Sequence, residues 1–217
     1  VYNPAHRIYQ GWGQPAGFNG YFVVRVKRKF AGAGTFKTGG NTGAYVSWKL
    51  KKDESIIVRV GTSFTSLEEA EKNLEAEIPG QDFNAVKEQA ARIWETALHK
   101  ITVKDSSESA KTIFYTALYH TMQQPRLFSD VSGAYPAFDK QYETAHMPGR
   151  PYYDDFSMWD IYRAQLPLCE IIAPSLVGDF VNSLLVKGKQ GGWLPIFPCW
   201  NNYTVGRTGD HAIAFIA

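Results

Sequence analysis

The stretch YYDDFSMWDIYRAQLPLCEIIAP, Tyr152–Pro174, gathers three aspartates, a tryptophan and an arginine around what reads as the start of a helix. Asp154 and Asp155 precede the helical run. Carboxylates there accept hydrogen bonds from N–H groups that have no partner within the helix, so capping is the expected duty of at least one. Asp160 falls beyond the position that capping explains, one residue from Trp159. Arg163, three residues on, shares its helical face and can orient it. An exposed ion pair with no further role is the plainer alternative.

That helix sets the class of the second half of the chain. Before it, SESAKTIFYTALYHTMQQP begins with a cap and carries Ile113, Ala117, Leu118 and Met122 on one side. After it, SLVGDFVNSLLVKGKQGG reads as a third helix closed by Gly191 and Gly192. A fourth begins near TGDHAIAFIA and stops within its apolar run, so the sequence is expected to be a piece of a larger protein. The loops between these helices are long and aromatic. One holds Arg126, Asp130, Tyr135 and Asp139; another holds Trp200, Asn201, Asn202, Tyr203, Arg207, Asp210 and His211. Short and long loops in alternation suit a helical toroid with a pocket at one end. Aromatic platforms mixed with carboxylates and amides suit a sugar, which has an apolar face and a polar rim.

Val1 to about Phe64 reads as strand. In GYFVVRVKRKF, Phe22, Val24 and Val26 alternate with Val23, Arg25 and Lys27, predicting a strand with one face partly wet. GAYVSWKL and ESIIVRVGTSF repeat the pattern, with Gly-rich turns expected at AGAG and TGGNTG. Strands in succession without helices indicate an antiparallel sheet or sandwich. At Ser66 the period changes: Ser66 is a natural N-cap, Glu68 and Glu69 suit the first turn, and Leu67, Ala70 and Leu74 form an apolar stripe. Glu68 to Glu77 reads as a solvated face. DFNAVKEQAARIWETALHKITV continues as a second connecting helix, with Phe83, Val86, Ala90, Ile93, Trp94 and Ala97 at helical spacing.

Composition removes several classes of function. The 217 residues suffice for one large domain or two smaller ones, and a net charge of +2 gives no support to nucleic-acid or polybasic membrane binding. No apolar run is long enough to span a bilayer, and VYNPAHRIYQ has no apolar signal core, so any signal peptide is expected upstream or removed. Cys169 and Cys199 are too few for a disulfide scaffold and lack metal-ligand spacing; two buried thiols are preferred to one disulfide. GAGTFKTGGNTG lacks the Gly-Lys-Ser/Thr ending of a phosphate loop and leads into a strand, which discards a nucleotide site. His120 reads as an interior or interface histidine. Asp210–His211 reads as a helix cap beside a polar side chain, or as an acid/base or metal pair. Arg207, between Gly206 and Gly209, reads as an anion or carboxylate binder or as a surface arginine.

The segments FSMWDIYRAQLPL, GGWLPIFPCW and GRTGDHAIAFIA, following YHTMQQPRLFSDVSGAYPAFD, resemble glycoside hydrolase family 92, the calcium-dependent exo-acting α-mannosidases, many of them bacterial. The resemblance implies a multi-domain α and β protein. Residues 1–66 would be the end of an antiparallel β-sandwich, 67–104 a helical linker, and 105–217 the start of an (α/α)6 catalytic barrel. It implies that Asp160 hydrogen-bonds mannose hydroxyls, that Trp159 walls the pocket, and that Arg207, Asp210 and His211 border it. The family's reaction inverts the anomeric centre using a glutamate acid and an aspartate base, with calcium on the O2 and O3 hydroxyls. The acid lies in a Glu-Gly-Asn-Ala-Trp-like motif and the base in a Gly-Asn-Asp/Glu-Asp-Cys-Gly-like motif. Neither motif occurs in these 217 residues, so acid, base and the main calcium ligands are expected downstream of Ala217. The implied partners are mannose-containing glycans, with α-1,2 linkages the first to consider, and the remainder of the catalytic domain. The implied location is periplasmic, cell-surface or secreted. An (α/α)6 glycosidase of other sugar specificity and a non-catalytic carbohydrate-binding protein remain the alternatives.

Overall fold

The computed structural model describes residues 6–9, 15–80, 82–139, 143–204 and 206–217. Residues 1–5 and 10–14 of the expected sandwich segment, and Lys140–Tyr142 of the aromatic loop, lie outside the described residues. The chain is a mixed α and β structure of small antiparallel sheets followed by helices. Strands β1 (His6–Tyr9), β2 (Pro15–Val26) and β5 (Val58–Ser63) form one antiparallel sheet with β2 in the centre. Strands β3 (Gly32–Thr38) and β4 (Asn41–Ser47) form a separate hairpin.

The hairpin corrects one turn assignment. AGAG is not a turn, because Gly32 to Gly34 already pair with Ser47 to Tyr45. The reversal is made by Gly39 and Gly40 alone, with φ of 56° and 84°, between the paired Thr38 and Asn41. Two successive residues in the left-handed region are what a two-residue hairpin turn of the right twist requires.

The buried side of β2 is also not the one the alternation suggests. Val23 is fully buried, whereas Val24 and its cross-strand partner Val60 are 42% and 49% exposed. The reason is helix α1 (Leu67–Glu77), which lies on the Val23 side. Ser66 caps it as expected, its hydroxyl accepting from Glu69 N at 3.1 Å, and Ala70 and Leu74 meet Val23 in a small core. Arg59 of β5 reaches across to Glu75 and donates to the Ile78 carbonyl at the helix end. Glu69 departs from the solvated face: it is buried and accepts from Ser132 Oγ at 2.6 Å.

Helix α2 (Phe83–Leu98), capped by Asp82, buries none of its expected stripe; Phe83 and Ile93 are exposed, and Trp94 packs on Tyr119 of α3 (Glu108–Thr121). His120 is exposed rather than interior. Two short hairpins follow, β6 (Arg126–Leu127) with β9 (Tyr153–Asp154) and β7 (Ala134–Pro136) with β8 (Thr144–His146).

The single helix expected after Asp155 is two. Helix α4 spans only Met158–Ile161, and α5 (Gln165–Ile172) starts after a turn. Pro167 explains the break, since in a continuous helix its ring would strike the carbonyl of Arg163 four residues back. Helix α6 (Pro174–Gly191) begins on a proline and ends at Gly192 with φ of 99°, the left-handed stop that the sequence announces. It packs with Phe156, Met158, Ile161, Leu166 and Ala212, the last from α7 (His211–Ile216), into the largest core.

A buried carboxylate joins the two parts. Asp130 accepts from Ser63 Oγ at 3.0 Å, Thr65 Oγ1 at 2.5 Å and Asn73 Nδ2 at 2.7 Å. Asp130 is thus a joint between β5, α1 and the aromatic loop, not a sugar ligand of that loop.

Gly61 sits where β5 approaches α1 most closely. A Cβ there would strike the Ala70 carbonyl oxygen and lie 2.6 Å from Leu74 Cβ. Gly61→Ala should therefore destabilise the protein by about 1–3 kcal/mol, seen as a lower urea midpoint at unchanged m; an unchanged midpoint would show that strand and helix separate freely.

Candidate functional site

Of the three aspartates in YYDDFSMWD, the first two depart from the capping role expected of them. Asp154 and Asp155 are not helix caps. Asp154 ends strand β9 with no exposure, and Asp155 is buried with φ of 63°. Ser157 occupies the N-cap position of α4, which places Asp160 in the first turn, where Ser157 Oγ donates to its carboxylate. That bond joins two side chains and caps no backbone N–H, so neither Ser157 nor Asp160 closes the helix start with a side-chain capping bond. The shift in helix start arises because the chain spends residues 154–156 on strand pairing and loop contacts before the helix starts.

Each of the first two carboxylates holds a backbone N–H of one loop. Asp155 Oδ1 accepts from Trp200 N at 3.0 Å and Asp154 Oδ2 from Asn201 N at 2.7 Å. Trp200 and Asn201 have φ of 59° and 56°, two successive non-glycine residues in the left-handed region. Such a pair costs about 1–2 kcal/mol per residue and needs fixed partners. Asn201 also donates through Nδ2 to the Pro136 and Ala137 carbonyls, and its Oδ1 accepts from Tyr152 Oη at 2.9 Å.

Beneath this loop lies Lys187 of α6, with no exposure. Its Nζ is 3.0 Å from Asp154 Oδ1, donates to Tyr152 Oη, and lies 3.7 Å from the centre of the Tyr152 ring. Burial pulls the Lys187 ammonium down to about 8 against the opposing pull of Asp154, and burial likewise raises the Asp154 carboxyl. Arg126 pairs with Asp155 from the outside. None of Asp154, Asp155 and Lys187 was singled out by sequence as more than helix entry or helix surface. The available signal was spacing: Phe180, Ser183, Leu184 and Lys187 share the buried face of α6, so the lysine interrupts an apolar stripe.

The exposed cluster is formed by the residues that sequence did select. Arg207 Nη2 lies 3.8 Å from Asp160 Oδ2, and its guanidinium stands 5.5 Å over the Trp159 ring and 5.8 Å over Phe197. Trp159, Asp160 and Arg207 are each nearly half exposed. Arg207, not Arg163, is the cation beside Asp160; Arg163 lies over Tyr162 instead. His211 stacks in parallel on Tyr162 at 3.9 Å. Asp210 occupies the N-cap position of α7, but its side chain makes no capping hydrogen bond. The structure thus brings Trp159, Asp160 and Arg207 into one group, with His211 linked to it through α4 and its following turn. An indole face, a carboxylate and a guanidinium in the open can hold a polyol: the ring covers C–H surface while the charged groups take hydroxyls.

Among the described residues, no three His, Cys, Asp or Glu side chains converge on a point a cation could share. Calcium takes about 6–8 oxygen ligands, and Asp154 and Asp155 are committed to Lys187, Arg126 and the loop amides. The described residues therefore do not fit the calcium that the family resemblance implies.

No disulfide joins Cys169 to Cys199. Burial and then the neighbouring Asp155 charge push the Cys199 thiol up to about 12. At pH 8, Cys199 should react with iodoacetamide about 10³-fold more slowly than an ordinary thiol, as read by mass spectrometry of competitively labelled protein. Labelling at an ordinary rate would show that the thiol is not shielded by burial and the Asp155 charge.

The sequence profile of the glycosyl hydrolase family 92 catalytic domain matches residues 69–217. A secreted glycosidase of Arthroderma benhamiae is 31% identical over 150 residues, which make up 65% of this chain and 18% of the relative. Among solved structures, a family 92 α-mannosidase from Bacteroides thetaiotaomicron in complex with mannoimidazole is similar over 94% of this chain, with TM-score 0.84 and 27% identity. An inverting family 92 mannosidase from the same organism shares the fold at TM-score 0.82 and 19% identity. The chain spans 29% of the length of each of these two. With the family profile covering well over half of it, this chain belongs to glycosyl hydrolase family 92.

Proposed function

We propose that this chain is part of an inverting, exo-acting α-mannosidase and supplies the wall that grips the terminal mannose. The observation that carries this reading is the Trp159–Asp160–Arg207 group, in which one guanidinium stands over an indole 5.5 Å away and 3.8 Å from a carboxylate. Family membership and the 27% identical mannosidase with mannoimidazole support it. Asp160 accepts from sugar hydroxyls, Arg207 donates to a hydroxyl and holds Asp160 in place, and Trp159 covers the apolar side of the ring. Asp210 and His211 border the same pocket.

None of these groups is assigned proton transfer. Asp160 is engaged by Ser157 and Arg207, which orients it. The general acid and the base that activates water on the opposite face are assigned to residues outside this sequence, because neither family motif occurs in it. Calcium, if resident, is held mainly there as well. In the same reading residues 1–66 belong to a β-sandwich, 67–104 to a helical linker and 105–217 to an (α/α)6 barrel. The natural substrate is a mannose-containing glycan, with α-1,2 linkages the first to test. A periplasmic, cell-surface or secreted location follows the secreted relative; among the described residues no helix is long and apolar enough to cross a membrane.

In the complete polypeptide, Asp160→Ala should lower kcat/KM for an aryl α-mannoside by about 10²-fold or more while the melting temperature stays within a few degrees. Wild-type turnover would remove Asp160 from the sugar site. Chelation should abolish hydrolysis and added calcium restore it; activity indifferent to chelation favours a glycosidase of another kind.

A further inference from the structure

Lys187 is a lysine without solvent contact, paired with Asp154 at 3.0 Å. Replacing such a pair with apolar residues of similar volume commonly leaves stability unchanged or improves it. Its stability alone therefore gives little reason for a charge here, and its connections point elsewhere. Asp154 passes the contact to Asn201 N, Asp155 holds Trp200 N, and Phe156 N donates to the Pro198 carbonyl at 3.1 Å. Three consecutive residues, 154–156, thus fasten the loop at 198, 200 and 201. One residue beyond Phe156 is Ser157, which engages Asp160; one residue before Pro198 is Phe197, over which Arg207 lies. The two sides of the exposed group are set from a common clamp, and Lys187 is its inner end.

We propose that Lys187, acting through Asp154, is a positioning residue for the Asp160–Arg207 grip. It does not touch the sugar. Its ammonium fixes the Asp154 carboxylate, which holds the left-handed Trp200–Asn201 pair and thereby the distance between the two sides that close on the substrate. The inference rests on the sugar-site reading above and extends it to residues beneath the pocket.

The test is the double substitution Lys187→Met with Asp154→Leu in the complete polypeptide, beside each single one. Each single variant leaves a buried charge without its partner and should melt well below wild type. The double variant should regain most of that loss, as an apolar pair fills the space. Its KM for p-nitrophenyl α-mannoside, which does not depend on the fraction folded, should remain raised by about 10-fold or more, because Asn201 N still lacks its acceptor. A double variant with wild-type KM would overturn the proposal and leave the pair a packing feature. Should the double variant not fold, Tyr152→Phe removes only the hydroxyl between Lys187 and Asn201. It should raise KM about 3-fold at near-native melting temperature, and an unchanged KM again overturns the proposal. Asp160→Ala run in parallel separates the two claims. Wild-type activity in that variant sinks the sugar site, whereas its loss together with a normal KM in the double variant sinks only the role of Lys187.

Discussion

A charge held without water organises the helical half of this protein. Lys187 and Asp154 are both fully buried, and burial works against the charge on each. For Lys187, whose folded value lies below its ordinary one, the unfolded chain binds more protons between pH 8 and 10.5, so its contribution to stability grows as pH rises through that window. For Asp154, shifted up, the folded chain binds the extra proton, and its contribution falls as pH rises above 3.8. The pair has further partners on each side, the Tyr152 hydroxyl for Lys187 and the Asn201 amide for Asp154 Oδ2, while Asp154 Oδ1 has the Lys187 charge at 3.0 Å but no hydrogen bond among the described residues. Around it, Tyr135 stacks on Tyr152 at 4.2 Å, and Gln190 ties Tyr135 and Phe138 back to α6.

Much of the fold was legible because its signals are local. Ser66 as a cap, the Ala70 and Leu74 stripe, and Gly192 as a helix stop depend on neighbours within one or two turns. The errors came where a local pattern admits two readings. Two aspartates before a helix look like caps whether or not the chain first makes a strand. The alternation in β2 gives two faces without saying on which one α1 will lie. The helix after Asp160 reads as continuous until the ring of Pro167 is weighed against the Arg163 carbonyl.

The candidate site was legible in its residue types and only partly in its geometry. Trp159, Asp160 and Arg207 were each selected, yet the cation next to Asp160 is not the one three residues along the helix. It arrives from the stretch that follows the tight backbone turn at Cys199–Asn202, an approach no helical spacing can announce. Arg207 itself has φ of 77°, so its backbone is shaped by the loop rather than by local preference. Asp154 and Asp155 carry no local signal, since their partners Trp200 and Asn201 lie more than forty residues away, whereas Lys187 is marked in the sequence only by its place on the apolar stripe of α6.

The Asp130 joint bears on the order in which the molecule assembles. Its three donors, from Ser63, Thr65 and Asn73, lie 67, 65 and 57 residues earlier in the chain. No part of that joint can form while residue 130 is still within the ribosome. Without the joint, Ser63 Oγ still accepts from Thr65 N and Asn73 Nδ2 still donates to the Thr62 carbonyl, beside the core of Val23, Ala70 and Leu74. Closing so long a loop costs chain entropy before any of the three bonds is made. The contact that ties the sheet and α1 to the helical half is thus one of long sequence separation, while the pairing of β2 with β5 and the cap of α1 are complete without it.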